Sequence, residues 1–329
     1  MDSEPPGAPG PHRVASGALT ARRSDRPRVS VLLTAYNREP YIGEAIESVL
    51  AQTLTDFELI VSDDGSSDLT VAIARDYERR DDRIRVSVNA RNLGQFENRR
   101  HAASLARGQY LKYHDSDDVM YPHCLATMVE PLEAEPRAGF ALSGSLHWPG
   151  GPCPMLLTPK LAYEREFLGS GLFHLGPAAA MFRSDVFRDL GGFPLEGIPS
   201  DYLFWVTACS KVNVLLVPAD LFYYRTHPGQ EMVDPRAEEQ YARASGHAWR
   251  MLHSPQCPLA ADSLERARRN FAFVQARGVF RHLKRGHFKS AMAVVRYAGP
   301  DTLEWIRYVR PPRRSPAAGT PQALQEQQA

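Results

Sequence analysis

The chain has 329 residues, of which 43% are hydrophobic and 23% are charged. This composition is typical of a globular protein with a substantial core, and the length allows one large α/β domain with an appendage, or two domains. The formal net charge is +1, but residues 264–314 carry thirteen Lys or Arg against three acidic residues. That segment therefore has a charge of +10 and the rest of the chain −9, which predicts a basic surface near the C-terminus.

The cysteines give information on compartment. Cys124, Cys153, Cys209 and Cys257 are far apart and form no CxxC pair. This spacing argues against a zinc site and indicates free thiols in a reducing compartment. Neither a signal peptide nor an apolar run of roughly 20 residues is present, so we expect a cytoplasmic protein that can rest on the inner face of a membrane.

Strands and helices alternate in the N-terminal half. Residues 1–27 are rich in Pro, Gly, Ser and Arg and are expected to form a disordered tail. Strands are predicted at 29–33, 57–61, 84–88 and from 110, and helices from about 40, after 68, at 96–106 and at 122–135. This alternation predicts an α/β fold with a mostly parallel central sheet flanked by helices.

The second half is less regular. Predicted elements are a strand at 140–146, a loop or insertion at 147–159, a buried apolar segment at 176–182, a short helix capped by Ser184, a helix at 202–210, and strands at 212–217 and 221–225. From about 233 to 310 the chain is expected to form a helical, basic C-terminal extension of the domain at 28–232. Residues 311–329 are expected to be a second disordered tail.

Three polar clusters follow three predicted strands, at 34–37, 63–66 and 115–118. Parallel α/β sheets bind ligands at the carboxyl ends of their strands, so the fold would gather these clusters along one edge. The third cluster, DSDD, places three carboxylates within four residues. Like charges so close imply either a solvated turn that caps the next helix or a bound cation such as Mg²⁺ or Mn²⁺.

These motifs together resemble the family 2 glycosyltransferases, over residues 28 to about 230. The matching segments are 29–37, 59–66, 92–94, Asn98, 106–108, 115–118, 191–193, 200–201 and 227–228. The resemblance implies the GT-A (nucleotide-diphospho-sugar transferase) fold and inverting transfer of a sugar from a nucleotide-sugar donor, UDP- or dTDP-linked. The implied acceptor is a hydroxyl group on a glycan, a lipid-linked sugar or another molecule, in cell-surface polysaccharide or glycoconjugate biosynthesis.

The resemblance also implies a donor site. The residues assigned to nucleotide-sugar binding are Thr34, Ala35, Tyr36, Asn37, Asp63, Asn98, Asp115 and Ser116. Asp63 would accept a hydrogen bond from the base and Asp115 would contact the ribose. The alternative is structural: Thr34 ends a strand and Asp63 caps a helix.

Asp117, Asp118 and His227 are the residues that the resemblance assigns to a divalent metal, Mn²⁺ or Mg²⁺. Such a cation stabilises the negative charge that develops on a departing nucleoside diphosphate. A lone histidine before a turn can equally be structural, and for His227 both interpretations remain open.

Asp201 matches the catalytic base of the family, the carboxylate that takes the proton from the attacking hydroxyl. An ordinary helix N-cap is the alternative. The family usually has Glu before this Asp and an Arg after it, whereas this chain has Ser200 and Thr207. A catalytically inactive GT-A protein that binds nucleotide or glycan is therefore the main rival. A phosphohydrolase ranks lower, and an oxidoreductase lower still, because no GxGxxG follows any strand.

The basic C-terminal region has three interpretations. Its cations are interleaved with apolar residues: Arg277, Arg281, Lys284, Arg285 and Lys289 alternate with Phe271, Phe273, Val279, Phe280 and Leu283. Such a helix suits an anionic membrane surface, where polyprenyl-linked acceptors would be found. The same pattern also fits a helix whose charged side faces solvent and whose apolar side packs on the main domain. Nucleic acid is not expected as a partner, because no nucleic-acid-binding module accompanies the cations.

Overall fold

The computed structural model describes residues 26–144, 153–195, 199–227 and 237–297. Almost all of the tail predicted at 1–27 and all of that at 311–329 lie outside these ranges. The strands are β1 (Val29–Ala35), β2 (Phe57–Asp63), β3 (Ile84–Val88), β4 (Tyr110–Asp115), β5 (Val119–Met120), β6 (Ala138–Ser143), β7 (Met155–Leu157), β8 (Ala180–Arg183), β9 (Asn213–Val217) and β10 (Phe222–Tyr223). The helices are α1 (Ile42–Leu50), α2 (Thr70–Glu78), α3 (Gln95–Leu105), α4 (Cys124–Ala134), α5 (Pro159–Leu168), α6 (Ser184–Asp189), α7 (Ser200–Ala208), α8 (Ala237–Leu252), α9 (Ala261–Lys284) and α10 (Phe288–Tyr297).

Eight strands form one central sheet in the order β3-β2-β1-β4-β8-β6-β9-β7. The four N-terminal strands of this sheet pair in parallel, as do β6 and β9, whereas β8 and β7 pair antiparallel with their neighbours. Helices flank the sheet and continue into the C-terminal region. The expected α/β architecture with a mostly parallel sheet is confirmed.

The segment between β6 and α7 differs from the sequence prediction. The loop predicted at 147–159 contains β7 in its described part, and α5 begins at its last residue. Ser184 does not cap α6: Arg183 is the N-cap, and the Ser184 hydroxyl donates a hydrogen bond of 2.6 Å to the carbonyl of Gly108. Ser184 thus ties the start of α6 to the entry of β4. Residues 145–152 lie outside the described part of the chain.

The core has two layers, one on each face of the sheet. In β1, Val31 and Leu33 belong to the cluster beneath α1 and α4, whereas Leu32 belongs to the opposite cluster. A strand that is buried on both faces has a mainly apolar sequence, which explains why this strand could be predicted from the sequence. The opposite cluster is rich in aromatic residues, and the rings of Phe182 and Trp205 stack there at a centroid distance of 5.8 Å.

The C-terminal helices pack onto this aromatic layer. Ala248 and Leu252 of α8 and Ala267 of α9 are buried in the same cluster as the sheet residues. Further along, Trp249 of α8 stacks on Phe271 of α9 at 6.0 Å. Within the described ranges, no helix is both long enough and apolar enough to cross a membrane.

At Gly108 the backbone of β1 lies so close that there is no room for a side chain. A Cβ there would lie 2.4 Å from the amide nitrogen of Ser30. We expect Gly108→Ala to lower the free energy of unfolding by about 1–3 kcal/mol, because rigid backbone must move. Gly278→Ala is the matched control: this glycine lies in α9 with no atom near its added Cβ, so alanine should stabilise by about 0.5–1 kcal/mol. Urea unfolding measures both, and equal midpoints for the two variants would contradict the prediction.

Candidate functional site

A pocket of about 670 Å³ opens at the carboxyl ends of the parallel strands. Nine of the twelve predicted site residues line it: Thr34, Ala35, Tyr36, Asn37, Asn98, Asp115, Ser116, Asp117 and Asp201. Asp63, Asp118 and His227 do not line its wall. The fold thus gathers most of the residues expected to bind donor and acceptor into one cavity.

The loop after β1 is held in a specific shape by Asn37. This residue has a φ of 51°, in the left-handed region that asparagine tolerates better than most residues. Its side-chain oxygen accepts a 2.9 Å hydrogen bond from the backbone amide of Ser67, and its backbone amide donates a hydrogen bond to the hydroxyl of Ser66. Tyr36 beside it lines the pocket with 45% of its surface exposed.

Adjacent carboxylates after β2 have different surroundings. Asp63 is buried, and it accepts hydrogen bonds from the amide of Gly65 and from the amide and hydroxyl of Ser66. Asp64 lines the pocket and accepts bonds of 2.8 Å from the amides of Leu93 and Gly94. Asp63 therefore shapes its own turn, and Asp64 is the carboxylate of this pair on the pocket wall.

Asn98 joins α3 to β2 beneath the pocket. Its side-chain oxygen accepts hydrogen bonds from the Ser62 hydroxyl (2.6 Å) and the Asn89 amide group (3.0 Å), and its side-chain nitrogen donates to the Ser62 carbonyl (2.9 Å). These bonds engage both polar ends of a side chain that is only 2% exposed. They fix the wall that this residue lines.

The carboxylates of the acidic loop after β4, residues 115–118, lie in two different environments. Asp115 accepts a 3.0 Å bond from Arg99, and Oδ2 of Asp117 accepts a 3.1 Å bond from Nε of Arg38. Asp118 is buried instead, and its Oδ1 accepts a 3.0 Å bond from the amide of Arg225. Burial raises the pKa of Asp118 to about 7. Its Oδ2 has no hydrogen-bond partner within the described structure.

A strap formed by β10 and the residues after it brings His227 to this loop. β10 pairs antiparallel with β5, and Nε of Arg225 donates a 2.9 Å bond to the carbonyl of Asp117. The ring of Tyr41 lies under both the Arg225 guanidinium (5.2 Å) and the His227 imidazole (4.8 Å). Nε2 of His227 consequently lies 2.9 Å from Oδ2 of Asp117, although 110 residues separate them in sequence.

The donor set fits a divalent cation that is shared with a ligand. No group of three or more His, Cys, Asp or Glu converges on one point within the described ranges. Asp117 and His227 nevertheless offer a carboxylate oxygen and an imidazole nitrogen side by side, a combination that suits Mn²⁺. A nucleotide diphosphate would have to supply further oxygen ligands. Arg38 shares the same carboxylate oxygen and balances its charge.

Asp201 lies in the first turn of α7 and lines the pocket. Burial raises its pKa, and the bond that its Oδ1 accepts from the amide of Tyr202 (2.8 Å) and the charge of Arg99 oppose that shift. Thr207 stands at the position of the usual Arg. Its hydroxyl oxygen lies 3.3 Å from Nε2 of His247. This contact joins α7 to α8.

Sequence reasoning missed several residues of the wall. Arg99 pairs with Asp115 and lowers the pKa of Asp201 by its charge, so it links the two predicted carboxylates. Its position next to Asn98 was the only available signal. Tyr224 of the strap and Tyr241 of α8 also line the pocket. Nothing in the local sequence pattern marks these tyrosines as site residues.

An α/β fold of this topology, with an acidic loop after β4 opening into a polar pocket, defines the GT-A class of nucleotide-sugar-binding folds. The glycosyl transferase family 2 signature matches residues 30–191, and the chain belongs to this family. The first curated relatives are matched over only 25–38% of their own length.

Three similar proteins illustrate the relationship. The GalNAc(5)-diNAcBac-PP-undecaprenol beta-1,3-glucosyltransferase of Campylobacter jejuni is 32% identical over 147 residues, which are 44% of each chain. Staphylococcus aureus TarS 1-349 in complex with UDP-GlcNAc superposes with a TM-score of 0.59 at 21% identity, covering 85% of this chain and 79% of that one. Mannosyltransferase PcManGT from Pyrobaculum calidifontis, in complex with GDP-Man and Mn2+, gives 0.55 at 18% identity, covering 85% and 88%. The two solved structures show the likeness of fold.

Proposed function

We propose that this protein is an inverting glycosyltransferase that moves a sugar from a UDP- or dTDP-linked donor to a hydroxyl acceptor in polysaccharide or glycoconjugate synthesis. The observation that carries the proposal is that one pocket joins the Tyr36 loop, the acidic loop and Asp201. The solved neighbour TarS binds UDP-GlcNAc, which favours a uridine donor over a dTDP-linked one. The Campylobacter relative acts on an undecaprenol-linked substrate, which favours a lipid-linked glycan as acceptor.

Asp201 is the proposed base. Its carboxylate takes the proton of the acceptor hydroxyl as the oxygen attacks the anomeric carbon of the donor. The new bond forms between that oxygen and carbon, the bond from the carbon to the diphosphate breaks, and its electron pair leaves with the nucleotide. Attack on the face opposite the diphosphate inverts the anomeric configuration. The raised pKa of Asp201 makes its carboxylate a better proton acceptor.

The acidic loop and its partners serve the leaving group. We assign the metal to Asp117 and His227, and Asp115 to the ribose. A Mn²⁺ or Mg²⁺ ion bound there would stabilise the charge that develops on the diphosphate. Arg38 lies on the pocket wall beside Asp117 and adds a positive charge at this end. Asp118 is buried and does not line the pocket, and its bond to the Arg225 amide favours a role in holding the strap in place.

Calorimetric titration of UDP and dTDP, with and without Mn²⁺, tests the proposal. We expect one nucleotide to bind, and to bind more tightly with the metal. Failure of both nucleotides under every metal condition would contradict the donor assignment. Tight binding without transfer or hydrolysis of the corresponding nucleotide sugar would support the rival, an inactive nucleotide-binding protein.

Peripheral contact with an anionic membrane is a second element of the proposal. Between Arg266 and Tyr297 the chain has nine Lys or Arg and no acidic residue. Phe280, Phe288 and Met292 in this region are each more than 60% exposed. Exposed apolar side chains among cations suit a bilayer surface that carries negative charge.

Vesicle co-sedimentation tests this contact. Binding should increase with the phosphatidylserine content and decrease with salt. Lys284→Glu should lower the partition coefficient about 30-fold, because removing a cation and adding an anion each cost about 1 kcal/mol at an anionic surface. Lys211→Glu is the matched control, since Lys211 is exposed in the turn after α7 and lies outside this region. Co-sedimentation that does not depend on anionic lipid would count against the proposal.

A further inference from the structure

The pocket has two chemically different ends. Tyr36 and Asp64 follow β1 and β2, so they lie on one side of β4. β8 neighbours β4 on the other side, and Pro177 begins the short 3₁₀ turn (Pro177–Ala179) that leads into this strand. The indole nitrogen of Trp205 in α7 donates a 2.7 Å bond to the carbonyl of Leu175, which fixes this second end against the helix that carries Asp201.

The second end is almost uncharged. Six lining residues form it: Gly176, Pro177, Pro199, Ser200, Asp201 and Tyr241. Asp201 is the one charged residue among these six. The arginines of the pocket wall pair instead with the acidic loop, Arg38 with Asp117 and Arg99 with Asp115. An acceptor bearing a phosphate or carboxylate at this end would meet the negative charge of Asp201, and Arg99, the cation whose charge reaches Asp201, already pairs with Asp115.

Tyr241 supplies the large flat surface of this end. It is 43% exposed, while its neighbours Ala242 and Ala244 in α8 are buried. The Thr207–His247 contact anchors α8 on α7. Burial and the charge of Asp201 both raise the pKa of the Tyr241 phenol, consistent with its place beside that carboxylate. A rigid helix therefore holds an accessible aromatic ring next to the proposed base.

We propose that Tyr241, with Pro177 and Pro199, forms an acceptor subsite beside Asp201 that takes the ring of an uncharged sugar. A pyranose has one face of C–H groups that packs on the electron-rich face of an aromatic ring, while its hydroxyls project from the ring edge. Stacking on Tyr241 would orient one hydroxyl toward Asp201. The inference rests on the proposed function, and two of the three subsite residues, Pro199 and Tyr241, lie outside the matched family region.

The test uses p-nitrophenyl glycosides as acceptors, with UDP-glucose, UDP-GlcNAc and dTDP-glucose as donors, and measures release of the nucleotide. At least one neutral glycoside, of glucose, galactose or GlcNAc, should accelerate release above hydrolysis. The corresponding glucuronide should be at least about tenfold less effective, because its carboxylate is repelled by Asp201. Equal rates with neutral and acidic glycosides, or no acceleration by any neutral glycoside, would overturn the inference.

Variants then test the aromatic ring itself. Tyr241→Ala should raise the KM for the glycoside about tenfold, and Tyr241→Phe, which keeps the ring, should stay within about twofold of the wild type. The Kd for UDP should not change in either variant. Tyr121→Ala, which removes an exposed tyrosine outside the pocket wall, should leave the KM unchanged. An unchanged KM in Tyr241→Ala would overturn the subsite alone, whereas a wild type that binds neither nucleotide would overturn the proposed function and the subsite with it.

Discussion

Asp201→Asn is expected to lower kcat by about 10²–10⁴-fold while leaving the Kd for the nucleotide unchanged. General-base catalysis contributes a factor of this size, and an amide cannot take the proton of the acceptor hydroxyl. The fold of the helix start should survive, because the asparagine oxygen can still accept the bond from the amide of Tyr202. Steady-state kinetics together with calorimetric titration of the nucleotide measure the two quantities separately.

The chain offers a matched control for this variant. Asp185 lies in the first turn of α6, and its Oδ1 accepts a 2.9 Å bond from the amide of Val186, just as Asp201 does from Tyr202. Asp185 does not line the main pocket. Asp185→Asn should therefore retain wild-type kcat. Near wild-type turnover in Asp201→Asn would show that another group accepts the proton.

The pH profile gives an independent test of the same residue. Burial raises the pKa of Asp201 above its ordinary value of 3.8. The base works only when it is ionised, so kcat/KM should fall as the pH drops through this raised pKa. The acidic limb of the wild-type profile should thus lie at a higher pH than the titration of an ordinary aspartate, and it should be missing from the residual activity of Asp201→Asn. A limb that persists in the variant would belong to a different group.

The N-terminal half of the sheet could be predicted because β1 and β2 are mainly apolar and β3 alternates apolar and polar residues. β1 and β2 are buried along nearly their whole length, and helices with clear apolar spacing separate them. Their order in the sheet follows from the handedness and adjacency rules for βαβ units. The polar clusters at the strand ends then had to meet at one edge, which is how the acidic loop and the Tyr36 loop could be placed together.

The segment around β7, α5 and β8 could not be predicted in the same way. β7 and β8 have three and four residues, and they form only because distant strands offer edges to pair with. For example, Met181 pairs antiparallel with Lys112, almost 70 positions earlier. A local pattern contains no information on such pairings. The aromatic cluster that stabilises this region is likewise assembled from side chains scattered between Phe140 and Trp205.

The site shows the same limit at the scale of single residues. Two adjacent carboxylates, Asp63 and Asp64, have the same chemistry, and only the turn geometry decides that Asp64 lines the pocket. The proximity of His227 and Asp117 depends on the pairing of β10 with β5, which two residues of strand cannot signal. Tyr241 reaches the pocket because α8 packs on α7, through the shared apolar cluster and the Thr207–His247 contact, and no sequence motif marks this packing.

Asp117→Ala is expected to weaken metal-dependent nucleotide binding about 100-fold or more. Substituting a residue that only hydrogen-bonds to a metal ligand costs about 10–100-fold in affinity, and loss of a direct ligand should cost at least as much. The variant also removes the partner that Arg38 and His227 share. Titration of UDP or dTDP at fixed Mn²⁺, and again in EDTA, separates the contribution of the metal to nucleotide affinity from that of direct contacts with the protein.

Two further variants serve as controls for Asp117→Ala. Asp76→Ala removes one negative charge from the exposed face of α2, where it pairs with Arg79 and Arg80, and should leave the Kd unchanged. Asp118→Asn should keep the Mn²⁺ dependence, because its Oδ1 faces the amide of Arg225 and asparagine retains that acceptor. If Asp118→Asn abolished the metal effect and Asp117→Ala did not, the metal would bind through the buried carboxylate, and the acidic loop would have to turn over on binding its ligand.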